Sequence, residues 1–225
     1  MANIKLIETE DGSHTLVNLD LNEGYHSLKG ARGESMHVFI EAGLRYFQKL
    51  KPANSISIFE VGFGTGLNAW LSYEYAAQNP NTKFYYESIE TLPVEREIYE
   101  KLNFSEDTVF QSLHEVSWEE QHVFGNFLLT KKLQSLREFH VVDQAYDIVF
   151  FDAFAPSKQP EMWEKPMLEK CYQMLSPEGI FVTYSARGQV KRDLASLGFH
   201  VETLTGAMGK KEMVRARKTN QESPG

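Results

Sequence analysis

A single cysteine, Cys171, among 225 residues excludes an internal disulfide framework and fits a reducing cytosol. It falls in a helical pattern with Leu168, Tyr172 and Leu175, which reads as a small buried hydrophobe. No apolar run approaches the roughly 18 residues needed to cross a bilayer, so no membrane association is expected. Met1 to Leu6 lacks the charged-then-apolar design of a signal peptide, and a cytoplasmic location is expected. The seven histidines are not paired with cysteine or carboxylate at metal-ligand spacing, so no metal is expected. No repeat, low-complexity tract or Pro/Gly-rich linker divides the chain. Residues 1–225 therefore read as a single domain: a hairpin and lead-in over 1–33, a core over 34–218 and a tail over 219–225. Nothing in it calls for an obligatory protein partner.

Positive charge is short as well. A formal net charge of −8 argues against indiscriminate polyanion binding. The cations nevertheless gather late, at Arg187, Lys191, Arg192, Lys210, Lys211, Arg215, Arg217 and Lys218, opposed over that stretch only by Asp193, Glu202 and Glu212. A local basic face suits a selective RNA enzyme, and an ordinary solvated surface looks the same.

What is present is an alternating pattern, with 42% apolar residues to fill a core. Ile4 to Leu21 reads as a β-hairpin about Asp11-Gly12, followed by a helix from about Glu34 that Pro52 and Asn54 end. Strands are expected at Ser55–Val61, Lys83–Ile89, Asn126–Lys131, Tyr146–Asp152 and Gly179–Tyr184, with Phe199–Leu204 and Glu212–Ala216 closing the chain. Helices are expected at Leu67–Ala77, from Pro93, at Pro160–Leu175 and at Gln189–Leu197. This is an α/β pattern: an open, mostly parallel sheet covered on both faces, behind an N-terminal hairpin. Ligands on such sheets sit outside the carboxyl ends of the strands, where strand order reverses.

Two loops fall there. Glu60-Val61-Gly62-Phe63-Gly64-Thr65-Gly66 joins a strand to a helix, and glycines let backbone approach a ligand closely. The dinucleotide fingerprint fails, because its last glycine is Leu67 here. An acid at Glu60 followed by glycines at 62, 64 and 66 instead matches the first motif of Rossmann-like, class I S-adenosylmethionine methyltransferases. Glu60 could then hold the cofactor's amino group, directly or through water. Glu87 and Glu90 both stand where a ribose-binding acid is usual. Glu90, at the carboxyl end before Pro93, is preferred, and Glu87 reads as a surface carboxylate.

The second loop runs Asp152-Ala-Phe154-Ala-Pro156-Ser-Lys-Gln-Pro160-Glu-Met-Trp163. A carboxylate at this strand end, beside a stiff aromatic and proline loop, can hydrogen-bond an amine and aim its lone pair at a methyl group.

That loop resembles the signature of the tRNA 5-methylaminomethyl-2-thiouridine methyltransferases, MnmD or the amino-terminal domain of bifunctional MnmC. The resemblance runs from about Tyr25 to Arg217, through Tyr25-His26-Ser27, Gly33-Glu34-Ser35, Gly62 to Asn68, Glu90 to Pro93, Ser185 to Arg192 and Gly206 to Met213. It implies methylation, with S-adenosylmethionine, of the exocyclic amine of 5-aminomethyl-2-thiouridine at the tRNA wobble position. On this resemblance Gly62, Gly64 and Gly66 cradle the cofactor, Glu90 holds its ribose, Asp152 orients or deprotonates the amine and Phe154 shapes the base slot. Substrate contacts are expected from Trp163, Arg187, Lys210 and Lys211. Some relatives carry a Gly-Asp pair near the adenine, for which Gln134-Ser135 is the nearest match here. The sequence ends at Gly225 without the flavin-dependent domain of the bifunctional relatives, so no FAD is expected. His26 and His37 read as structural, and Trp70 and Leu71 as core. A small-molecule amine methyltransferase of the polyamine kind and a non-catalytic cofactor-binding scaffold are the competing readings.

Overall fold

The computed structural model describes residues 3–219; the last six residues of the expected tail lie outside the described residues. The Asp11-Gly12 turn closes a hairpin of β1 (Ile4–Glu8) and β2 (His14–Asn18), with Ile4 opposite Asn18 and Glu8 opposite His14. A short β3 (Glu23–Gly24) pairs with β2 to complete a three-stranded sheet. Asp11 organises the turn, accepting from Ser13 N at 3.0 Å through Oδ1 and from Gly33 N at 3.3 Å through Oδ2. The second bond ties the hairpin to the helix that follows. That helix begins at Ala31, three residues before the expected Glu34, and runs continuously through Ala31–Ser35, a π-type stretch Met36–Arg45, and Tyr46–Leu50. Its buried face (Val38, Phe39, Ile40, Leu44 and Phe47) packs into the same core as Leu16 of the hairpin.

The main sheet has eight strands: β4 (Ser55–Val61), β5 (Lys83–Glu90), β6 (Gln121–Phe124), β7 (Phe127–Leu133), β8 (Tyr146–Phe151), β9 (Leu175–Thr183), β10 (Phe199–Thr205) and β11 (Glu212–Lys218). Their spatial order is β10-β11-β9-β8-β4-β5-β7-β6. The five central strands are mutually parallel; β11 and edge strand β6 run antiparallel to them, and β10, antiparallel to β11, points the same way as the centre. Ile58, Phe59, Val149, Phe150 and Phe151 are all fully buried, as central strands covered on both faces must be. Helices Leu67–Ala77 and Thr108–Glu115 join the 31–50 helix on one face; Lys165–Met174 and Gly188–Ser196 cover the other. Cys171 lies in this second core with no exposed surface.

Strand order reverses between β4 and β8. Their register sets Val61 beside both Ile89 and Phe151, so the chain leaves three adjacent strands at one level. The glycine loop, Glu90 and Asp152 are thereby brought together. Gly62 N donates to Ile89 O at 3.0 Å, and Asp152 N donates to Val61 O at 3.1 Å, which extends the ladder to the loops themselves.

One expectation is corrected, and a strand and a helix that were not expected are added. Pro93 opens no helix; a four-residue helix, Arg96–Tyr99, starts three residues later. The strand expected at Asn126–Lys131 is the second arm of a β6–β7 hairpin that turns at Gly125, where φ is +63°. Thr108–Glu115 is a helix capped by Asp107, whose Oδ1 accepts from Val109 N at 2.9 Å. Only eight residues long, it gave too few turns for its apolar period to stand out.

Candidate active site

A cleft of about 800 Å³ opens over the strand ends and is lined on one side by Gly62, Phe63, Gly64, Thr65 and Asn68. Glu90 stands at its edge, half-buried, with Oε2 accepting from Gly64 N at 3.0 Å and Oε1 from Thr91 N and Leu92 N at 2.7 and 2.9 Å. One carboxylate thus fastens the glycine loop to the end of β5. Gln134 and Ser135, just past β7, line the same cleft beside Leu136. Glu87 points elsewhere and pairs with Lys132 at 2.8 Å.

Asp152 lies at the cleft floor. Its Oδ2 accepts from Asn68 Nδ2 at 2.9 Å. Burial, followed by the nearby Glu34 carboxylate, pushes its pKa up to about 7, against the pull of Asn68 and Lys210. Above it Phe154 meets Tyr25 edge-on, with ring centroids 5.0 Å apart, and both rings line the cleft. Burial raises the Tyr25 phenol to about 12, so it stays protonated. Tyr184 forms a further wall, its hydroxyl donating to Ala153 O at 2.8 Å, and burial holds its pKa well above the usual range.

Not every expected residue converges here. Glu60 is fully buried behind the glycine loop and does not line the cleft. Its Oε2 accepts from Ser88 Oγ at 2.7 Å, while Oε1 has no hydrogen-bond partner among the described residues. Burial raises its pKa to about 8, leaving it largely neutral at pH 7. Glu60 thus stands behind the glycine loop, beside Asn68 and Tyr86. Gly66 also misses the cleft. A Cβ there would come within 2.7 Å of His114 Nε2, so this glycine serves packing. His114 reaches Thr65 O at 3.1 Å through that nitrogen. Its own carbonyl accepts from buried Lys131 Nζ at 2.6 Å, and the ammonium lies 4.8 Å from the centre of the Trp118 ring. Trp163 is buried beneath the Asp152 loop, its indole N–H donating to Phe154 O at 2.8 Å. It holds that loop and leaves Met162 to line the cleft.

The basic stretch is largely neutralised. Lys191 pairs with Glu212 at 3.1 Å, Arg215 with Glu202 at 2.8 Å and Arg217 with Glu178 at 2.9 Å. Lys218 caps the carbonyls of Tyr172 and Leu175. Lys210 pairs with Glu34 inside the cleft. Arg187 and Lys211 lie outside it, exposed and in no ion pair among the described residues. The expected basic face is thus reduced to a few separate cations.

Asn68, Glu34, Tyr25 and Tyr184 belong to the cleft without having been assigned a role from sequence. The first three sit within the segments that carried the resemblance; Tyr184 follows β9 directly and carried no local signal. His26, expected to be structural, is half-buried and lines the cleft, with Nδ1 at 3.0 Å from Thr15 Oγ1; burial lowers its pKa to about 4.

Comparison with known proteins agrees with this geometry. The family model described as S-adenosyl-L-methionine-dependent methyltransferase matches residues 95–219. The bifunctional protein MnmC of tRNA 5-methylaminomethyl-2-thiouridine biosynthesis from Pseudoalteromonas atlantica is 31% identical over 91% of this chain and 32% of that protein. Its counterpart in Idiomarina loihiensis is 29% identical over 88% of this chain and 36% of that protein, so this chain spans about a third of the curated relatives it matches. The crystal structure of MNMC2 from Aquifex aeolicus superposes with a TM-score of 0.78 at 26% identity, covering 96% of this chain and 70% of that one. A probable spermidine synthase from Corynebacterium glutamicum shares the fold alone, at a TM-score of 0.55 and 14% identity. With more than half its length matched by the family model and its glycine loop and strand-end acids around one cleft, this chain belongs to the S-adenosyl-L-methionine-dependent methyltransferases.

Proposed function

We propose that this protein methylates the exocyclic amine of 5-aminomethyl-2-thiouridine at the wobble position of tRNA. The observation that carries the reading is a carboxylate, Asp152, at the floor of a cleft between the glycine loop and the paired rings of Phe154 and Tyr25. The names of the curated relatives point to the same nucleoside.

The residues present suit the cofactor. The cleft's volume is within the range of small-molecule sites. Glu90 offers a half-exposed carboxylate for ribose hydroxyls, Gly62 and Gly64 keep the loop free of side chains, and Gln134, Ser135 and Leu136 lie where the adenine would rest. When bound, S-adenosylmethionine supplies an electrophilic methyl group. Asp152 binds and orients the amine, Asn68 fixes the direction of the Asp152 carboxylate, and the Phe154 and Tyr25 rings offer apolar faces for the base. No residue need form a covalent bond to the substrate. Cys171 is buried in the core on the far face of the sheet from the glycine-loop helix.

Purified protein should transfer labelled methyl from S-adenosylmethionine to tRNA bearing the free aminomethyl group, and mass spectrometry should locate it on the wobble amine. Labelling of a small diamine such as putrescine, with none on tRNA, would move the function to small amines. Glu90→Ala should raise the KM for the cofactor by about tenfold or more, since a hydrogen bond to a charged group is worth about 1.5–3 kcal/mol. Glu87→Ala should leave that KM within about twofold.

The RNA is taken to meet the exposed Arg187 and Lys211 near the cleft. Charge reversal of Lys211 should weaken tRNA binding and reduce the slope of log affinity against log salt by about one, with cofactor affinity unchanged. Titration at three salt concentrations checks this; an unaltered slope places the RNA on another face.

A further inference from the structure

The cleft holds a cation that the chain itself supplies. Lys210, in the turn between β10 and β11, extends its ammonium to the Glu34 carboxylate and over the Tyr184 ring, 4.4 Å from the ring centre. Glu34 is the better buried partner, its side chain 6% exposed against 39% for Lys210. Its other oxygen, Oε2, accepts from Ser27 N at 2.6 Å, so the carboxylate is fixed by the backbone whether or not Lys210 is present. All three residues line the cleft with Asp152, and Glu34 and Lys210 are both close enough to shift its ionisation.

A buried carboxylate beside an aromatic face is a general receptor for an ammonium group, through charge pairing and the attraction of a cation to the ring. Lys210 is a primary alkylammonium, the same chemical group as a protonated aminomethyl substituent. Its half-exposed stem leaves it free to swing out into solvent without disturbing the core. We propose that the slot between the Glu34 carboxylate and the Tyr184 ring is an ammonium subsite, which Lys210 fills until the primary amine of the substrate displaces it. The inference rests on the proposed amine methylation for its biological substrate, though not for its chemistry. Glu34 and Tyr184 then act as recognition residues: they select a charged primary amine and deliver it beside Asp152, where one ammonium proton passes to solvent water before the nitrogen reacts. A uridine lacking the amine cannot displace Lys210 and is excluded.

The test is equilibrium binding of n-butylammonium, with n-butanol as the uncharged comparison, to protein saturated with S-adenosylhomocysteine, followed by NMR. Lys210→Met keeps the stem on Tyr184 and removes the competing charge, and should tighten n-butylammonium binding at least fivefold without affecting n-butanol. Lys210→Arg, which keeps a cation, should bind no more tightly than the parent. Adding Glu34→Gln to Lys210→Met preserves the acceptor for Ser27 N and should abolish the gain. Equal binding by Lys210→Met and the parent, or retention of the gain in the double variant, overturns the subsite. Should n-butylammonium bind as expected while no tRNA amine is methylated, the ammonium subsite stands and the wobble-uridine reading falls. Methylation of tRNA with no charge-selective binding of n-butylammonium does the opposite: the wobble-uridine reading stands and the subsite falls.

Discussion

Asp152→Ala should lower turnover by about 10²-fold or more, the scale of a lost electrostatic contact in an active site, with cofactor affinity nearly unchanged. An alkylamine is mostly protonated near neutral pH and then has no lone pair with which to attack. A carboxylate stabilises the ammonium form, which by itself opposes reaction. In the proposed reaction Asp152 would help by holding the nitrogen in line once a proton has left, and by stabilising the positive charge that nitrogen acquires as it takes the methyl. Asp152→Asn keeps an acceptor for Asn68 and removes the charge, so its turnover should fall between the parent and Ala. Near-normal turnover of the Ala variant on tRNA carrying the free amine would sink the assignment.

The same residue links activity to pH and stability. Because burial raises its pKa to about 7, Asp152 is largely protonated at pH 6, and turnover should climb as pH rises through about 7. Stability should move the other way. In the unfolded chain an aspartate ionises near 4, so between about pH 4 and 7 the unfolded state holds fewer protons and gains on the native state as pH rises. The loss is complete above about pH 7. Asp152→Asn lacks this titration and should melt higher than the parent at pH 8, by an amount on the order of 2 kcal/mol after allowing for water at the cleft floor. Thermal melts at pH 5 and pH 8 test it, the variant's advantage appearing at the higher value only.

The sheet was legible where periodicity and punctuation coincide. Ser55–Val61, the glycines after it and Leu67–Ala77 are found as expected, because a short strand rich in β-branched and aromatic residues, a glycine turn and a helical repeat follow without interruption. The positions of Asp152 and Glu90 over the strand ends were legible for the same reason: each stands at the end of a strand or one residue past it. What did not show was anything set by the pairing of distant segments. Lys210 and Glu34 are 176 positions apart, and only the β10–β11 turn crossing the start of the 31–50 helix joins them. The basic run looked like a face because its acids Glu34 and Glu178 lie elsewhere in sequence. Trp163 illustrates the converse. An aromatic in a functional loop reads as a binding group, yet its indole N–H found a partner inside the loop, which buries it. Glycine spacing also hid a division of labour, since Gly66 makes room for His114 while Gly62 and Gly64 face the cleft.

That division predicts unequal outcomes from like substitutions. Gly62 has φ +93°, and a Cβ there would lie 3.0 Å from the carbonyl oxygen of Asp152. The oxygen cannot retreat, because Asp152 N is already bonded to Val61 O and Gly62 N to Ile89 O. Gly62→Val would therefore force the glycine loop off the strand ends, on top of the roughly 1–3 kcal/mol of strain that a side chain carries in a disfavoured backbone region. Cofactor binding should fall by about 10²-fold or more, and turnover should fall further, since the Asp152 loop moves with it. Gly64→Val meets only the Tyr25 ring, at 3.2 Å, which can rotate away, so its loss of cofactor affinity should be smaller. Gly125 separates strain from collision: φ is +63° and nothing lies within 4 Å of its Cβ position. Gly125→Val should lower the melting temperature by its strain alone and leave cofactor affinity at the parent value. Calorimetric titration of the three variants with S-adenosylmethionine orders them Gly62, Gly64, Gly125 in loss of affinity. Equal losses at Gly62 and Gly125 would mean that backbone strain, and not contact with Asp152, sets the requirement for glycine, and the coupling between the two loops would have to be abandoned.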